Sequence, residues 1–272
     1  MVGTSYGTSV ILKDPQEMLA EERNAPFVKR IKLVVAYDGT AYCGWQVQPN
    51  GPTIEGELNA AISSLTGEDI QVIGASRTDA GVHGLCNIAV FDTDSPIPGE
   101  KFSYALNQRL PEDIRVRASE EVSPDFHPRH QESRKTYTYR ILNADFPDPT
   151  KRLYTHFTYV KMNVEQMQKA ASYLVGEHDF KSFCSPATTV ESTVRTLYKC
   201  EVSKEGEMIT IEVQGNGFLY NMVRIIAGTL MEVGCGRISP EQIPGILELR
   251  DRNAAGPTAP AKGLCLVKYE YR

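Results

Sequence analysis

The fold is decided by IKLVVA at residues 31–36, followed by TIEGELNAAISSLTG at residues 53–67. The first part is short, apolar and rich in β-branched residues, which predicts a strand. In the second part, Thr53 is a typical helix N-cap and Gly67 a typical stop. The apolar residues between them recur at helical spacing: Ile54, Leu58, Ala61, Ile62 and Leu65. A strand that leads into an amphipathic helix is therefore predicted here.

The same order of elements is predicted twice. After the first helix the sequence indicates strands at 70–75 and 87–91, a helix near 101–109 and a strand at 114–118. The second set is a strand at 135–142, a helical stripe over 164–174, a hairpin of 194–203 and 208–213, a helix at 218–233 and a strand at 264–269. A shorter helix, capped by Ser239 with Pro240 at its first position, precedes the last strand. Each set reads β-α-β-β-α-β, which is the ferredoxin-like arrangement.

These repeats predict an α+β fold built from two ferredoxin-like or RRM-like halves. Joined edge to edge, the halves would share one long, mostly antiparallel sheet with helices on one face. A cleft for a ligand is expected between them. We predict an N-terminal extension over residues 1–28, a first half over 29–128 and a second half over 129–272.

Charge is unevenly distributed along the 272 residues. The net charge is −5, from 29 basic and 34 acidic residues, but residues 127–161 hold seven basic side chains against three acidic ones. A basic region on an acidic body fits a protein that binds a polyanion at one site. A solvated loop explains the same charges equally well.

Several classes of protein are disfavoured by composition. No apolar run is long enough to span a bilayer, and no secretory signal is visible at the N-terminus. The six cysteines lie far apart without a Cys-x-x-Cys pair, which predicts reduced thiols in a cytoplasm and argues against a zinc ribbon. His127 and His130 lie in a proline-containing segment with no third ligand in view, so no metal site is expected.

The segment GASRTDAGVHG at residues 74–84 is the best candidate for chemistry. It follows a predicted strand, and its glycines allow a tight turn and a close approach to a ligand. Arg77 and Asp79 lie two residues apart and can meet the same substrate. Taken alone, however, these residues fit an ordinary hairpin loop with an Arg–Asp pair.

Residues 75–84 resemble the RTDxGVH loop of the tRNA pseudouridine synthase A family. Further segments resemble the family in the same order: YDGT at 37–40, GWQ at 44–46, DFHPR at 125–129, KTYTYR at 135–140, EHDFKSF at 177–183, GFLYNMVR at 217–224 and GPTAP at 256–260. The resemblance covers roughly residues 30 to 272. Two departures are Glu55, where glutamine is frequent, and His130, where an aromatic residue is usual.

The resemblance implies roles for four residues. Asp79 would be the essential catalytic carboxylate, and Arg224 would pair with it. Tyr137 would stack on the target uracil, and Arg77 would hold the phosphate or fill the space of the extruded nucleotide. The reaction breaks the N1–C1′ bond of uridine and joins C5 to C1′, which a single carboxylate can serve without a metal or cofactor. No cofactor is therefore expected.

The resemblance also implies the substrate and the assembly. The substrate would be tRNA, at uridines 38, 39 or 40 of the anticodon arm, and the protein would act as a homodimer in the cytoplasm, with no DNA or membrane partner. A related pseudouridine synthase with other RNA targets remains an alternative. A non-catalytic RNA-binding module lacks support, because no strand of the RNP type is present. A nucleoside or glycoside hydrolase would ordinarily need two carboxylates.

Overall fold

The computed structural model describes residues 28–186 and 190–272. The predicted extension lies outside these ranges except for Val28. The strands are β1 (Lys29–Tyr37), β2 (Ile73–Gly74), β3 (His83–Thr93), β4 (Ile114–Val122), β5 (Ser133–Asn143), β6 (His156–Thr158), β7 (Gly176–Asp179), β8 (Val194–Glu205), β9 (Met208–Gly215) and β10 (Leu264–Tyr271). The α-helices are α1 (Ile54–Thr66), α2 (Phe102–Leu106), α3 (Val164–Ser172), α4 (Met222–Gly234) and α5 (Ile243–Leu249).

All ten strands belong to one sheet in the order β4-β1-β3-β10-β5-β9-β8-β7, with β2 paired to β3 and β6 to β5. The pairs along this path are antiparallel, except that β10 runs parallel to β3. The last strand thus lies in the middle of the sheet, with Cys265 opposite His83 and Leu266 opposite Tyr137. The predicted α+β class and the long, mostly antiparallel sheet are confirmed.

Helix α1 forms as its sequence indicates. The Thr53 hydroxyl accepts a hydrogen bond from the Gly56 N–H at 3.2 Å. Gly67 adopts a left-handed conformation at φ 81° and donates its N–H to Ser63 O. The predicted stripe faces the core, with Leu65 partly buried and the other four residues buried.

Other elements differ from the prediction for local reasons. The strand predicted at 70–75 shrinks to two residues, because side chains of α1 take its backbone donors: Ile70 N–H donates to Ser63 Oγ (3.1 Å) and Val72 N–H to Asn59 Oδ1 (2.9 Å). Helix α4 begins at Met222 and not near 218, because Asn221 is left-handed at φ 61°. The helix near 101–109 is a 3₁₀ turn followed by the short α2.

Two apolar clusters support the sheet. One joins Ile31 and Leu33 of β1 to Ile54 of α1, and the other joins Tyr139 of β5 to Ile226 of α4. Each cluster therefore lies between strands and helices and fixes one end of the sheet. The boundary between halves at residue 128 stays a prediction. Within the described ranges, no helix is long and apolar enough to cross a membrane.

Candidate active site

The loop between β2 and β3 is fixed through its backbone. The Asn87 amide accepts from Ser76 N–H (3.2 Å) and donates to Ser76 O (2.9 Å). Trp45 N–H donates to Thr78 O at 3.0 Å, and the Thr78 hydroxyl lies 2.9 Å from the Tyr37 hydroxyl. The carboxylate of the next residue, Asp79, therefore projects from an ordered support.

Two glycines allow the close approach of the segment at 44–46 to this loop. Gly44 is left-handed at φ 97°, and a Cβ there would lie 2.6 Å from Thr78 O. A Cβ on Gly74 would lie 2.2 Å from Nε1 of the fully buried Trp45. Both contacts are shorter than any side chain tolerates. Two motifs that are distant in sequence therefore form one packed unit.

A cavity of about 520 Å³ opens above the loop. Its walls come from the loop, from β5, from the segment before α4 and from the first residues of α4. All four residues predicted as functional line it: Arg77, Asp79, Tyr137 and Arg224. A slightly larger cavity, of about 590 Å³, lies elsewhere and is lined by other residues, among them Asp38, His83 and Arg140.

Arg224 is positioned independently of Asp79. Its Nε donates to Ala259 O at 2.8 Å, and Ala259 N–H donates back to Arg224 O at 3.0 Å. Its Nη1 donates to Asn221 Oδ1 at 2.8 Å and lies 3.3 Å from Asp79 Oδ2. The segment at 256–260 and the start of α4 thus hold a guanidinium against the carboxylate.

Burial and charge act in opposite directions on Asp79. Its side chain is 21% exposed, and burial raises the pKa of the carboxyl above its ordinary value. The charge of Arg224 and its hydrogen bond lower that pKa and offset part of the effect. Within the described residues, Oδ1 of Asp79 accepts no hydrogen bond. Asp79 is therefore a poorly solvated carboxylate with one oxygen held and the other open to the cavity.

An aromatic wall faces this carboxylate. Tyr137 packs edge-on against Phe218, with ring centroids 5.1 Å apart, and burial raises the pKa of the Tyr137 phenol so that it stays protonated. Tyr139 is fully buried and donates to Pro260 O at 2.9 Å, as fits a core residue. Phe218 and Tyr220 also line the cavity. Sequence reasoning placed them in a helix, although their position before Arg224 in GFLYNMVR could have indicated them.

Two cations on the cavity wall were counted in the basic region but not predicted as site residues. Arg129 Nε donates to Gly74 O at 2.8 Å, and Lys135 Nζ donates to Ala75 O at 3.4 Å. Burial, with the charges of Arg129 and Arg195, lowers the pKa of Lys135 to about 8. The sequence could have indicated Lys135, because side chains alternate between the two faces of a strand and residues 135 and 137 of β5 therefore share a face.

The other arginines and lysines of the basic region do not line this cavity. Lys151 pairs with Asp148 at 2.8 Å, and Arg140 lines the other cavity. Arg134 stacks on Tyr198 at 4.2 Å from the ring centroid. In the part of the chain that the structure describes, no group of three or more His, Cys, Asp or Glu residues could hold a metal ion.

Comparisons with known proteins show which family the chain is similar to. A family model described as tRNA pseudouridine synthase matches residues 33–131 and 170–272. tRNA pseudouridine synthase A of Acetivibrio thermocellus is 49% identical over 244 residues, which cover 90% of this chain and 100% of that protein. Its counterpart in Ruminiclostridium cellulolyticum is 51% identical over 245 residues, with the same coverage. A solved Cbf5-Nop10-Gar1 complex matches with 15% identity and a TM-score of 0.35, over 74% of this chain and 45% of that chain.

The family match identifies the chain as an RNA-modifying isomerase. The chain belongs to the tRNA pseudouridine synthase family. The resemblance seen in the sequence is therefore confirmed, and the protein is an isomerase that acts on tRNA.

Proposed function

We propose that the protein converts uridine to pseudouridine at positions 38, 39 or 40 of the tRNA anticodon arm, with Asp79 as the catalytic carboxylate. The observation that supports this role is the 3.3 Å contact of Asp79 with Arg224 inside a cavity shared by Tyr137. The anticodon-arm target is what the resemblance in the sequence implies. It is consistent with relatives that carry the name tRNA pseudouridine synthase A.

The proposed reaction needs one ionised carboxylate. The open oxygen of Asp79 acts on the target nucleotide as nucleophile or base while Arg224 keeps the carboxylate ionised. The N1–C1′ bond breaks, the uracil turns in the cavity, and a C5–C1′ bond forms. C5 then loses its proton to a base or to water, N1 takes up a proton, and any bond between Asp79 and the nucleotide is released, so that the product is an isomer of the substrate and the carboxylate is regenerated. Tyr137 and Phe218 offer ring surfaces to the uracil during this turn.

The target must leave the RNA stack to reach Asp79. Extruding a nucleotide costs a few kcal/mol, which stacking and phosphate contacts have to offset. Arg77 is exposed at the mouth of the cavity, next to Asp79 in the loop. We propose that Arg77 either binds the phosphate of the extruded nucleotide or fills the space that this nucleotide leaves in the RNA stack.

The experiment for this function maps pseudouridine by mass in tRNA from cells with and without the protein. Loss of pseudouridine at positions 38–40 in the deletion strain is the expected result. Transcripts that keep a single uridine at 38, 39 or 40 then show which positions the purified protein modifies. Loss at other tRNA or RNA positions, with 38–40 intact, would instead identify a related synthase with another target.

We propose further that the protein acts as a homodimer in the cytoplasm. The 590 Å³ cavity supports this, because it is flanked by exposed apolar side chains, with Leu85 53% and Tyr154 46% exposed. A second copy seated there would leave the cavity of Asp79 accessible. Light scattering should give the mass of a dimer, and Leu85→Glu should give a monomer. A wild-type monomer at micromolar concentration would refute the assembly, and cell fractionation tests the location.

A further inference from the structure

Four cations lie around one end of the Asp79 cavity. Arg77, Arg129 and Lys135 line it, and Arg195 of β8 lies beyond Lys135. Burial and the charge of Arg77 lower the pKa of Arg129, and burial with the charges of Arg129 and Arg195 lowers the pKa of Lys135. Within the described ranges, none of the four forms an ion pair with a carboxylate.

The strand register explains why Arg195 belongs to this cluster. Lys135 lies opposite Gly215 on β9, and Gly215 lies opposite Leu197 on β8. Arg195 is two residues from Leu197 and therefore projects from the same face of the sheet. Gly215 lies between them and has no side chain, and Leu197 and Phe218 pack over it: a Cβ there would lie 2.9 Å from Leu197 Cδ2 and 3.4 Å from Phe218 Cζ.

Backbone carbonyls orient these side chains without neutralising them. Arg129 and Lys135 donate to Gly74 O and Ala75 O, and Arg195 Nη1 donates to Ser192 O at 2.9 Å. A guanidinium has five N–H donors and an ammonium has three, so several donors remain for another group. The acid that acts on Arg129 is Glu55, whose carboxylate accepts from Val47 N–H at 2.9 Å. The cluster keeps a surplus of positive charge that an anion would relieve.

The position of Lys135 shows which part of the substrate it meets. It precedes Tyr137 by two residues on β5, about 6.6–6.8 Å along the strand. Lys135 Nζ donates to Ala75 O, at the beginning of the loop, whereas Asp79 lies further along that loop. Lys135 therefore contacts a part of the cavity wall other than the position of Asp79. A nucleotide with its base at Tyr137 and its ribose at Asp79 has only its backbone phosphates left to place there.

We propose that Lys135, flanked by Arg129 and Arg195, is a phosphate subsite that holds one of the two backbone phosphates adjoining the target uridine. The proposal rests on the proposed function of the Asp79 cavity. It assigns to Lys135 a local contact with one phosphate, which differs from the general attraction that any surface cation exerts on RNA.

The test is a double-substitution cycle between protein and RNA. Binding is measured in the Asp79→Asn background, so that no turnover intervenes, with a stem-loop RNA of the anticodon arm. The RNA carries either ordinary phosphates or one uncharged methylphosphonate on the 5′ or the 3′ side of the target uridine. Lys135→Met is the test variant because methionine keeps an unbranched chain of similar length. Lys199→Met is the matched control, since Lys199 is a partly exposed lysine that pairs with Glu201 and Glu212 and does not line the cavity.

A specific contact gives a non-additive result. We expect the methylphosphonate on one side, and Lys135→Met, each to weaken binding about 10-fold, the scale of a hydrogen bond between charged groups. Together they should be little worse than either alone. In the Lys199→Met protein the methylphosphonate should keep its full effect.

Two results would overturn the subsite. Additive losses would mean that Lys135 contributes only to the general field, and no methylphosphonate effect on either side would mean that neither phosphate is held. Lys135→Arg, which keeps the charge, should retain most of the methylphosphonate effect and guards against a folding defect in Lys135→Met. Failure of the proposed function can be told apart from failure of the subsite. The first appears as tRNA that gains no pseudouridine from the wild-type protein, whereas the double-substitution cycle measures binding alone.

Discussion

Asp79 of the loop before β3 and Arg224 of the first turn of α4 are 145 positions apart in the chain and meet at 3.3 Å in a site that is only partly open to water. Arg224 reaches this position through two other hydrogen bonds, to Asn221 and Ala259. The guanidinium therefore stays in place whether or not the carboxylate is charged. The charge of Asp79 depends on Arg224, whereas the position of Arg224 does not depend on Asp79. Substitutions of the two residues should therefore have different effects.

Asp79→Asn should abolish turnover and leave tRNA binding nearly intact. Asparagine keeps the size of the side chain but cannot act as nucleophile or base, so we expect a loss of about 10³-fold or more. Burial raises the pKa of Asp79, so at neutral pH its charge is less stable in the folded protein than in the unfolded chain. Replacing the carboxylate with a neutral amide should therefore not lower Tm. Tritium release from uracil C5 under single-turnover conditions measures the loss. The control is Asp69→Asn, at an exposed aspartate, and release near the control rate would refute the role of Asp79.

Arg224→Met should shift the pH dependence of turnover. Arg224 lowers the pKa of Asp79, so its removal lets burial raise that pKa further. In the proposed mechanism the ionised carboxylate of Asp79 is the active form, so the rate falls as the pH drops through this pKa. The variant should therefore lose activity at a higher pH than the wild type. Single-turnover rates between about pH 5 and 8 locate the acid limb. Arg237→Met, at an exposed arginine paired with Glu232, should leave the limb unmoved, and an unmoved limb in Arg224→Met would contradict the pairing.

At the scale of elements, α4 and the segment at 256–260 form one support for Arg224. Gly228 faces this segment, and a Cβ there would lie 1.7 Å from Pro257 O. Gly256 N–H donates to Thr229 Oγ1 at 2.9 Å, so the contact continues on the next residue of the helix. The backbone of the segment can rest on α4 only because position 228 has no side chain.

Two Gly→Ala substitutions in helices should therefore have opposite effects. Gly228→Ala should lower the free energy of unfolding by about 1–3 kcal/mol, as overpacking does, and should reduce turnover by displacing Ala259 from Arg224. Gly245→Ala in α5 meets nothing within 4 Å and should raise the free energy of unfolding by about 0.5–1 kcal/mol through helix propensity. Urea unfolding measures both. Equal effects of the two variants would show that the contact of α4 with Pro257 does not constrain the helix.

The sequence predicted elements where local signals agree and failed where side chains intervene. Helix α1 was predictable because its caps and its apolar period point to the same bounds. The strand at 70–75 was not, because no periodicity shows that Ser63 and Asn59 would take its backbone donors. The start of α4 was missed because the left-handed Asn221 is set by its bonds to Arg224 and Ser185.

The candidate site was predictable for the residues within recognised motifs. The structure brings Arg77, Asp79, Tyr137 and Arg224 to one cavity, and their chemical roles stay predictions. Lys135 was missed because a lysine on a strand usually projects into solvent, and only the tertiary structure shows Arg129 and Arg195 beside it. Such juxtapositions depend on how distant strands pair, which local sequence patterns do not encode.

At the scale of the whole molecule, β10 joins the two parts of the sheet. It pairs with β3 on one side and β5 on the other, so it closes two strand edges at once. The Asp79 loop leads into β3, and Tyr137 lies on β5. The distance between the carboxylate and the aromatic wall is therefore set by the strand between them.

A chain that ends at Gly263 should lose both its fold and its activity. Without β10, the edges of β3 and β5 carry unpaired N–H and C=O groups, which promote aggregation. Size-exclusion chromatography should show high-mass species, and calorimetry should show no cooperative transition. Lys268→Gln keeps the strand and breaks only its exposed pair with Glu270, so it should change stability by less than about 0.5 kcal/mol. A monodisperse, cooperatively unfolding truncated chain would refute the joining role of β10.

The central place of β10 also sets a schedule for folding on the ribosome. His83 of β3 pairs with Cys265 of β10, which is synthesised roughly 180 residues later. At ordinary rates of translation this pairing is therefore delayed by about 10–35 s. During that interval β1 can cover one edge of β3 and β2 part of the other, while the stretch at His83 and Gly84 stays open to chaperones or to a neighbouring nascent chain. The cavity of Asp79 cannot close before β10 arrives. Modification of RNA therefore begins only once nearly the whole described chain has been made, and incomplete products carry no activity of their own.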